Sequence, residues 1–90
     1  MSIAESNVQS EVKVLFFARH REQMGRAELA IRLTEPLSLA ELKQLISQQH
    51  PAFSSLRQPI MAAVNQDFAD DDRLVQAGDE VAFFPPVTGG

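Results

Sequence analysis

The sequence predicts an α+β domain in which one main helix packs on one face of a mixed sheet. Short apolar runs rich in β-branched and aromatic residues lie near both ends of the chain, at residues 12–18 (VKVLFFA) and 80–84 (EVAFF). Between them lies a single stretch with a helix start signal and helical spacing. Because one helix covers only one face of a sheet, the pattern predicts that the other face is left open.

The run at residues 12–18 predicts the first strand and distinguishes its two faces. Side chains alternate along a strand, so the charged Lys13 marks the outer face, which it shares with Leu15 and Phe17. The opposite face is uniformly apolar and is the expected core face: Val12, Val14, Phe16 and Ala18.

The next two segments predict a connection and a second strand. Residues 19–26 (RHREQMGR) are polar and contain Gly25, which favours a connection with room for a helical turn. Residues 27–33 (AELAIRL) then alternate, with Leu29, Ile31 and Leu33 on one face. We expect this strand to pair antiparallel with the first.

The clearest local signal is a capping box at Ser38 and Glu41, which predicts the start of the helix. An apolar stripe at helical spacing follows it: Leu39, Leu42, Leu45 and Ile46. Pro51 disfavours α geometry at the preceding residue, so the helix should end near Gln49.

The remainder of the chain predicts short strands separated by turns. Residues 60–64 (IMAAV) read as a strand, the turn at 65–67 precedes a short strand at 68–69, and 77–79 form the turn before the last strand at 80–84. The acidic run at 70–72 lacks the alternating carboxylates and central glycine of a calcium loop, so we interpret it as a solvated turn.

This order of elements is that of a β-grasp roll, with the last strand parallel to the first through the helical crossover. A tail with two glycines leaving the last strand of such a roll is the ubiquitin-like arrangement. We therefore expect a disordered N-terminal extension at residues 1–10, a β-grasp domain at 11–84 and an extended tail at 85–90.

The tail is the expected working part of the chain. Pro85 and Pro86 force the chain out of regular structure, and Val87, Thr88, Gly89 and Gly90 follow them. Six extended residues reach roughly 20 Å, enough to pass through a narrow channel and present a carboxylate in another protein's pocket. Glycine would allow that channel to close tightly around the backbone.

Composition excludes several functional classes. The net charge is −4 and the eight basic residues are scattered, which argues against nucleic acid as a partner. There is no cysteine, so thiolate metal sites and cysteine nucleophiles are excluded, and neither histidine has companion metal ligands in sequence. The first ten residues are no signal peptide and no run could span a bilayer, so we expect a cytoplasmic protein without a membrane partner.

Several segments together resemble one family. They are VKVLFFA, the Arg21-Glu22 pair with Gly25, AAVNQ at 62–66 and GDEVAFFPPVTGG at 78–90. In these segments the chain resembles the small sulfur-carrier subunits of molybdopterin synthase. The resemblance extends from about Val12 to Gly90 and is most specific in the last thirteen residues.

The resemblance implies a cycle at the carboxylate of Gly90. An activating enzyme would adenylate it with ATP, a sulfur donor would convert it to a thiocarboxylate, and the tail would enter the large catalytic subunit of the synthase. There the sulfur would attack the cyclic pyranopterin precursor, so the small subunit would bind no cofactor and hold no catalytic pocket of its own. The family also implies a heterotetramer with two small subunits at opposite ends of a dimer of large ones.

Adjacent phenylalanines identify a candidate partner surface. In each pair, at 16–17 and at 83–84, one ring must point to each sheet face. We predict a partner interface of Leu15, Phe17, Arg21 and Phe84, with Arg21 included on the strength of the resemblance. The alternative is that loops cover these rings.

Three functional classes remain open from the sequence. The first is the sulfur carrier, for molybdopterin or for another pathway such as thiamine synthesis or tRNA thiolation. The second is a ubiquitin-like modifier that joins Gly90 to lysines, and the third is an interaction module with an inert tail.

Overall fold

The computed structural model describes residues 10–56 and 58–86. Seven strands and two α-helices lie in these ranges, with one 3-10 helix at Pro51–Ser55. In chain order they are β1 (Glu11–Phe16), α1 (Ala18–Met24), β2 (Glu28–Arg32), β3 (Leu37–Ser38), α2 (Leu39–Gln49), β4 (Met61–Val64), β5 (Asp67–Phe68), β6 (Leu74–Val75) and β7 (Glu80–Phe84).

Five strands form one mixed sheet in the order β2-β1-β7-β4-β5. β1 and β7 are parallel neighbours, with Lys13 beside Glu80 and Phe16 beside Phe83, whereas the other pairs in this sheet are antiparallel. The predicted parallel pairing of the first and last strands is confirmed, and so is the α+β β-grasp fold.

The capping box of α2 forms as predicted. The Glu41 backbone N–H donates to Ser38 Oγ at 3.1 Å, and the Ser38 N–H donates to Glu41 Oε1 at 2.9 Å. The helix ends before His50, whose backbone has left the helical region (φ −134°, ψ 87°) directly before Pro51. Leu39, Leu42 and Ile46 are buried, so the apolar stripe of α2 covers one face of the sheet.

Three phenylalanine rings form the centre of the core. Phe16 and Phe83 lie side by side on β1 and β7 with ring centroids 6.1 Å apart. Phe53, from the 3-10 helix, meets Phe83 edge-on at 5.2 Å and Phe16 at 6.2 Å. Edge-to-face contact is favourable because the positive ring edge meets the negative ring face. The cluster connects the segment after α2 with the two central strands.

The region between β1 and β2 differs from the expectation. Residues 18–24 form a full helix rather than a connection with a single turn. Ala18 was expected on the core face but is exposed, because β1 ends at Phe16 and a positive φ of 54° at Ala18 breaks the alternation. His20 on α1 is completely buried.

Three further elements were not predicted. β3 and β6 pair antiparallel as a separate two-stranded ladder beside the start of α2, and the 3-10 helix follows Pro51. The short strand after the 65–66 turn lies at Asp67–Phe68, one residue earlier than expected. These elements are only two to five residues long, too short for periodicity to identify them.

The turn between β4 and β5 is tied to the start of β7. Asn65 and Gln66 both have positive φ, as a two-residue hairpin turn of type I′ requires. The Asn65 Nδ2 group donates to Asp79 Oδ1 at 3.0 Å, and the Glu80 N–H donates to Asn65 Oδ1 at 2.9 Å. The side chain of Asn65 therefore connects two neighbouring strands at the edge where β7 begins.

The predicted disordered extension falls almost wholly outside the described residues. Its last residue, Ser10, accepts a hydrogen bond at its carbonyl from the Leu33 N–H at 2.8 Å. The ladder between β1 and β2 therefore includes Ser10.

The adjacent residues Phe83 and Phe84 provide a matched test of the two sheet faces. We expect Phe83→Ala to lower the free energy of unfolding by about 3–5 kcal/mol, because it removes a fully buried ring from the aromatic cluster. Phe84→Ala should cost clearly less, since that ring is half-buried. Urea denaturation of both variants measures the difference, and equal losses would contradict the assignment of the faces.

Candidate functional site

The tail leaves the sheet from one of its inner strands. β7 lies between β1 and β4 and ends at Phe84, after which Pro85 is half-buried and Pro86 is exposed. Neither proline can donate a backbone hydrogen bond, so the ladder cannot continue through them. The other predicted tail residues, Val87, Thr88, Gly89 and Gly90, lie outside the described residues.

The open face of the sheet, opposite α2, carries the second ring of each phenylalanine pair. Phe16 and Phe83 are buried, whereas Phe17 is 47% exposed and Phe84 is half-buried. The Phe17 N–H donates to the Phe83 carbonyl at 3.2 Å, so the backbone of Phe17 still follows β7. Leu15 is half-buried on the same face of β1.

The strand register extends this surface across β4 and β5. Met61 lies opposite Phe84, and Ala63 lies opposite both Ala82 and Phe68. Opposed residues on neighbouring strands share a face. We call the resulting surface the open-face patch: Leu15, Phe17, Met61, Ala63, Phe68, Ala82 and Phe84.

Phe68 is the most exposed large apolar residue of the patch. It is 79% exposed, and its ring centroid lies 5.9 Å from that of Phe84. Sequence reasoning missed both Phe68 and Met61. A signal for Phe68 was present in the turn at 65–66. If Val64 faces the core, a two-residue hairpin turn places Phe68 opposite Ala63, and both then lie on the open face.

Arg21 lies one helical turn after Phe17. It is exposed on α1, and its N–H donates to the Phe17 carbonyl at 3.4 Å. Within residues 10–56 and 58–86 it forms no ion pair; the pair found there joins Lys43 and Asp71 at 2.8 Å. Arg21 is therefore in backbone contact with Phe17, and its charged side chain is exposed beside that ring's position.

The other half of the open face is charged. Cross-strand neighbours there include Glu11 opposite Arg32 and Lys13 beside Glu80. The apolar half therefore lies toward the end of β7 where the tail leaves, whereas the charged residues lie on β2 and near the starts of β1 and β7. An apolar surface of this kind, bordered by charge, is typical of a protein interface.

No metal centre or membrane span is found in the part of the chain that the structure describes. No three His, Asp or Glu residues there are grouped so as to hold a metal ion. Asp70, Asp71 and Asp72 are exposed in a turn, as expected, and Asp71 pairs with Lys43. No helix in the described ranges is long and apolar enough to cross a bilayer.

Comparison with known proteins gives consistent matches over most of the chain. A model of the ThiS family matches residues 14–90. The chain is 40% identical over 81 residues to the molybdopterin synthase sulfur carrier subunit of Escherichia coli K12, covering 88% of this chain and 99% of that protein. It is 35% identical over 83 residues to the human protein of the same name, covering 89% and 94%.

Solved structures agree with the fold. The chain is similar to SAMP1 of Haloferax volcanii, with a TM-score of 0.75 and 26% identity over 89% of this chain and 99% of that one. It is also similar to a chain in the complex of subunits 1 and 2 of the molybdopterin-converting factor from Helicobacter pylori, with a TM-score of 0.63 and 25% identity over 89% and 99%.

Proposed function

The chain belongs to the ThiS family, and we propose that it is the sulfur carrier of a molybdopterin synthase. The observation that carries this proposal is the match to proteins named as that subunit, at 31–40% identity over most of the chain. The family match also includes the whole predicted tail at residues 85–90.

In the proposed cycle, Gly90 supplies the reacting group. A free carboxylate is a poor electrophile, so an adenylating enzyme first joins it to AMP from ATP. A sulfur donor then displaces AMP and leaves a thiocarboxylate at Gly90. The large subunit provides the pocket in which this sulfur attacks the cyclic pyranopterin precursor, and hydrolysis of the acyl intermediate returns the carboxylate. Each dithiolene needs two sulfurs, so two charged carriers are consumed per product.

The tail is proposed to act as a semi-rigid spacer. Pro85 and Pro86 restrict the backbone directly after β7, so the direction in which the tail leaves depends on the sheet. Val87, Thr88 and Gly89 would occupy the channel of the large subunit. A thiocarboxylate held about 1 Å out of position would already react far more slowly.

The open-face patch is the proposed docking surface for the large subunit. The patch borders the point where the tail leaves, so docking there would direct the tail into the neighbouring pocket. The similar chain from Helicobacter pylori is itself part of a complex of subunits 1 and 2. Phe17 and Phe84 would be the central contacts, Leu15 would extend the apolar area, and Arg21 would offer a charge at the rim.

A protein modifier is the second candidate function. SAMP1 of Haloferax volcanii, whose structure resembles this chain at 26% identity, is a small archaeal modifier protein. The intact mass of the protein purified from its native host separates the two functions. Exchange of one oxygen for sulfur supports the carrier, whereas a series of higher-mass conjugates through Gly90 would support the modifier.

Replacing Phe84 tests the docking surface. Phe84→Ala should weaken binding to the large subunit by about 1.5–3 kcal/mol, since a phenylalanine side chain would no longer be buried there. Titration calorimetry measures the change. Leu74→Ala is the matched control, because Leu74 is 65% exposed but lies on β6, outside the patch. Unchanged binding by the Phe84 variant would show that Phe84 is not part of the interface.

Changing the length of the tail tests the carrier chemistry. Deleting Gly90 shortens the tail by about 3.3 Å, and adding an alanine after Gly90 converts its carboxylate into an amide. Both variants should fold and bind the large subunit but should neither form a thiocarboxylate at their C-terminus nor sulfurate the pterin. Mass spectrometry after incubation with activating enzyme, ATP and a sulfur donor is the measurement. Normal sulfur transfer by either variant would refute the carrier mechanism.

A further inference from the structure

The outer strand β2 carries a self-complementary pattern that the proposed function does not use. β2 is an edge strand, with β1 as its strand neighbour in the described part of the sheet. Its exposed residues are Glu28, Ala30 and Arg32. We propose that β2 pairs antiparallel with β2 of a second copy of this chain, so that two sheets join into one across a two-fold axis.

The ladder between β1 and β2 determines which backbone groups point outward. The Phe16 N–H donates to the Ala27 carbonyl at 2.8 Å, and the Leu33 N–H donates to the Ser10 carbonyl at 2.8 Å. Hydrogen-bonded pairs alternate along an antiparallel ladder. The odd-numbered residues of β2 therefore direct their N–H and C=O groups at β1, and the even-numbered residues direct theirs to the outer side.

The outer side of β2 can accept another strand. No backbone hydrogen bond within residues 10–56 and 58–86 reaches Glu28 or Ala30 from that side. An edge of this kind is a template for pairing with another chain. If a second β2 lies antiparallel with Ala30 opposite Ala30, the outward groups of both strands meet as hydrogen-bonded pairs.

Charge selects this register. With the two-fold axis at Ala30, Glu28 of each copy lies opposite Arg32 of the other, on the same sheet face. Registers shifted along the strand leave a charge unmatched or set like charges opposite each other. Arg32 already has an interaction within its own chain, but a guanidinium carries five N–H donors and can bind a further carboxylate.

The paired strands leave the open-face patch accessible. β1 separates β2 from β7 in each copy, so the two β7 strands would lie about 24 Å apart at the usual strand spacing. Pairing of five residues makes an interface smaller than the standard size, so we expect weak association that is seen at high protein concentration. The inference is independent of the proposed sulfur chemistry.

Charge reversal with mixing tests the pairing directly. Sedimentation of the full chain up to about 1 mM should show a monomer–dimer equilibrium. Glu28→Arg and Arg32→Glu should each weaken self-association about tenfold or more, because each sets two like-charge pairs in the dimer. A one-to-one mixture of the two variants should associate at least as tightly as the parent, since the opposite charges then meet again.

Two further variants serve as controls. Ala30→Pro should abolish association and preserve the fold, since the lost N–H points away from β1. Asp72→Arg changes charge by the same amount in a distant exposed turn and should leave association unchanged. A parent that stays monomeric at about 1 mM, reversals without effect, or a mixture that associates no better than its components would each overturn the proposal.

Discussion

The parallel pairing of β1 with β7 is the constraint on which the rest of the structure depends. It brings the two phenylalanine-containing apolar runs near the ends of the chain together in the inner part of the sheet, with Phe16 beside Phe83. Parallel neighbours require a long crossover, and α2 lies within that crossover and covers one sheet face. Because β7 is an inner strand, the tail begins at a position held by hydrogen bonds from both sides.

Because side chains alternate along a strand, each pair of adjacent phenylalanines places one ring in the core and one on the surface. Phe16 and Phe83 contribute to the core, whereas Phe17 and Phe84 contribute to the open-face patch. The same four-residue aromatic set thus fulfils two tasks. A register slip of one residue in β7 would move Phe83 to the open face and Phe84 to the core. The buried contact of Phe83 with Phe53 opposes such a slip and therefore also keeps Phe84 in the open-face patch.

The open face is divided mainly along the length of the central strands. Its apolar side chains lie toward the end of β7 where the tail leaves, and its charged side chains lie on the edge strand β2 and near the starts of β1 and β7. A partner that docks near the tail therefore meets a surface of different character from one that pairs with the edge. This division gives the small domain two proposed interaction surfaces with separate physical bases: apolar burial at one and charge-selected backbone pairing at the other.

The sequence by itself determined the elements whose signals are local. Alternation identified the core faces of β1 and β2, the capping box identified the start of α2, and two prolines identified the end of the sheet at the tail. Four segments, of which the terminal one is the most specific, indicated the family, and the family match over residues 14–90 confirms it. The predicted interface residues Leu15, Phe17, Arg21 and Phe84 all lie where the open face or its adjoining helix is exposed or half-buried, and their contact with a partner stays a prediction.

Only the tertiary structure decided which distant residues share a surface. Met61 and Phe68 join Phe84 because the register of β4 with β7 and β5 sets them side by side, and no periodicity within a two-residue strand specifies that. Residues 18–24 form a helix that buries His20, although their sequence has no apolar stripe. Tertiary packing overrides local propensity in such short segments, since a few long-range contacts outweigh differences of a few tenths of a kcal/mol per residue.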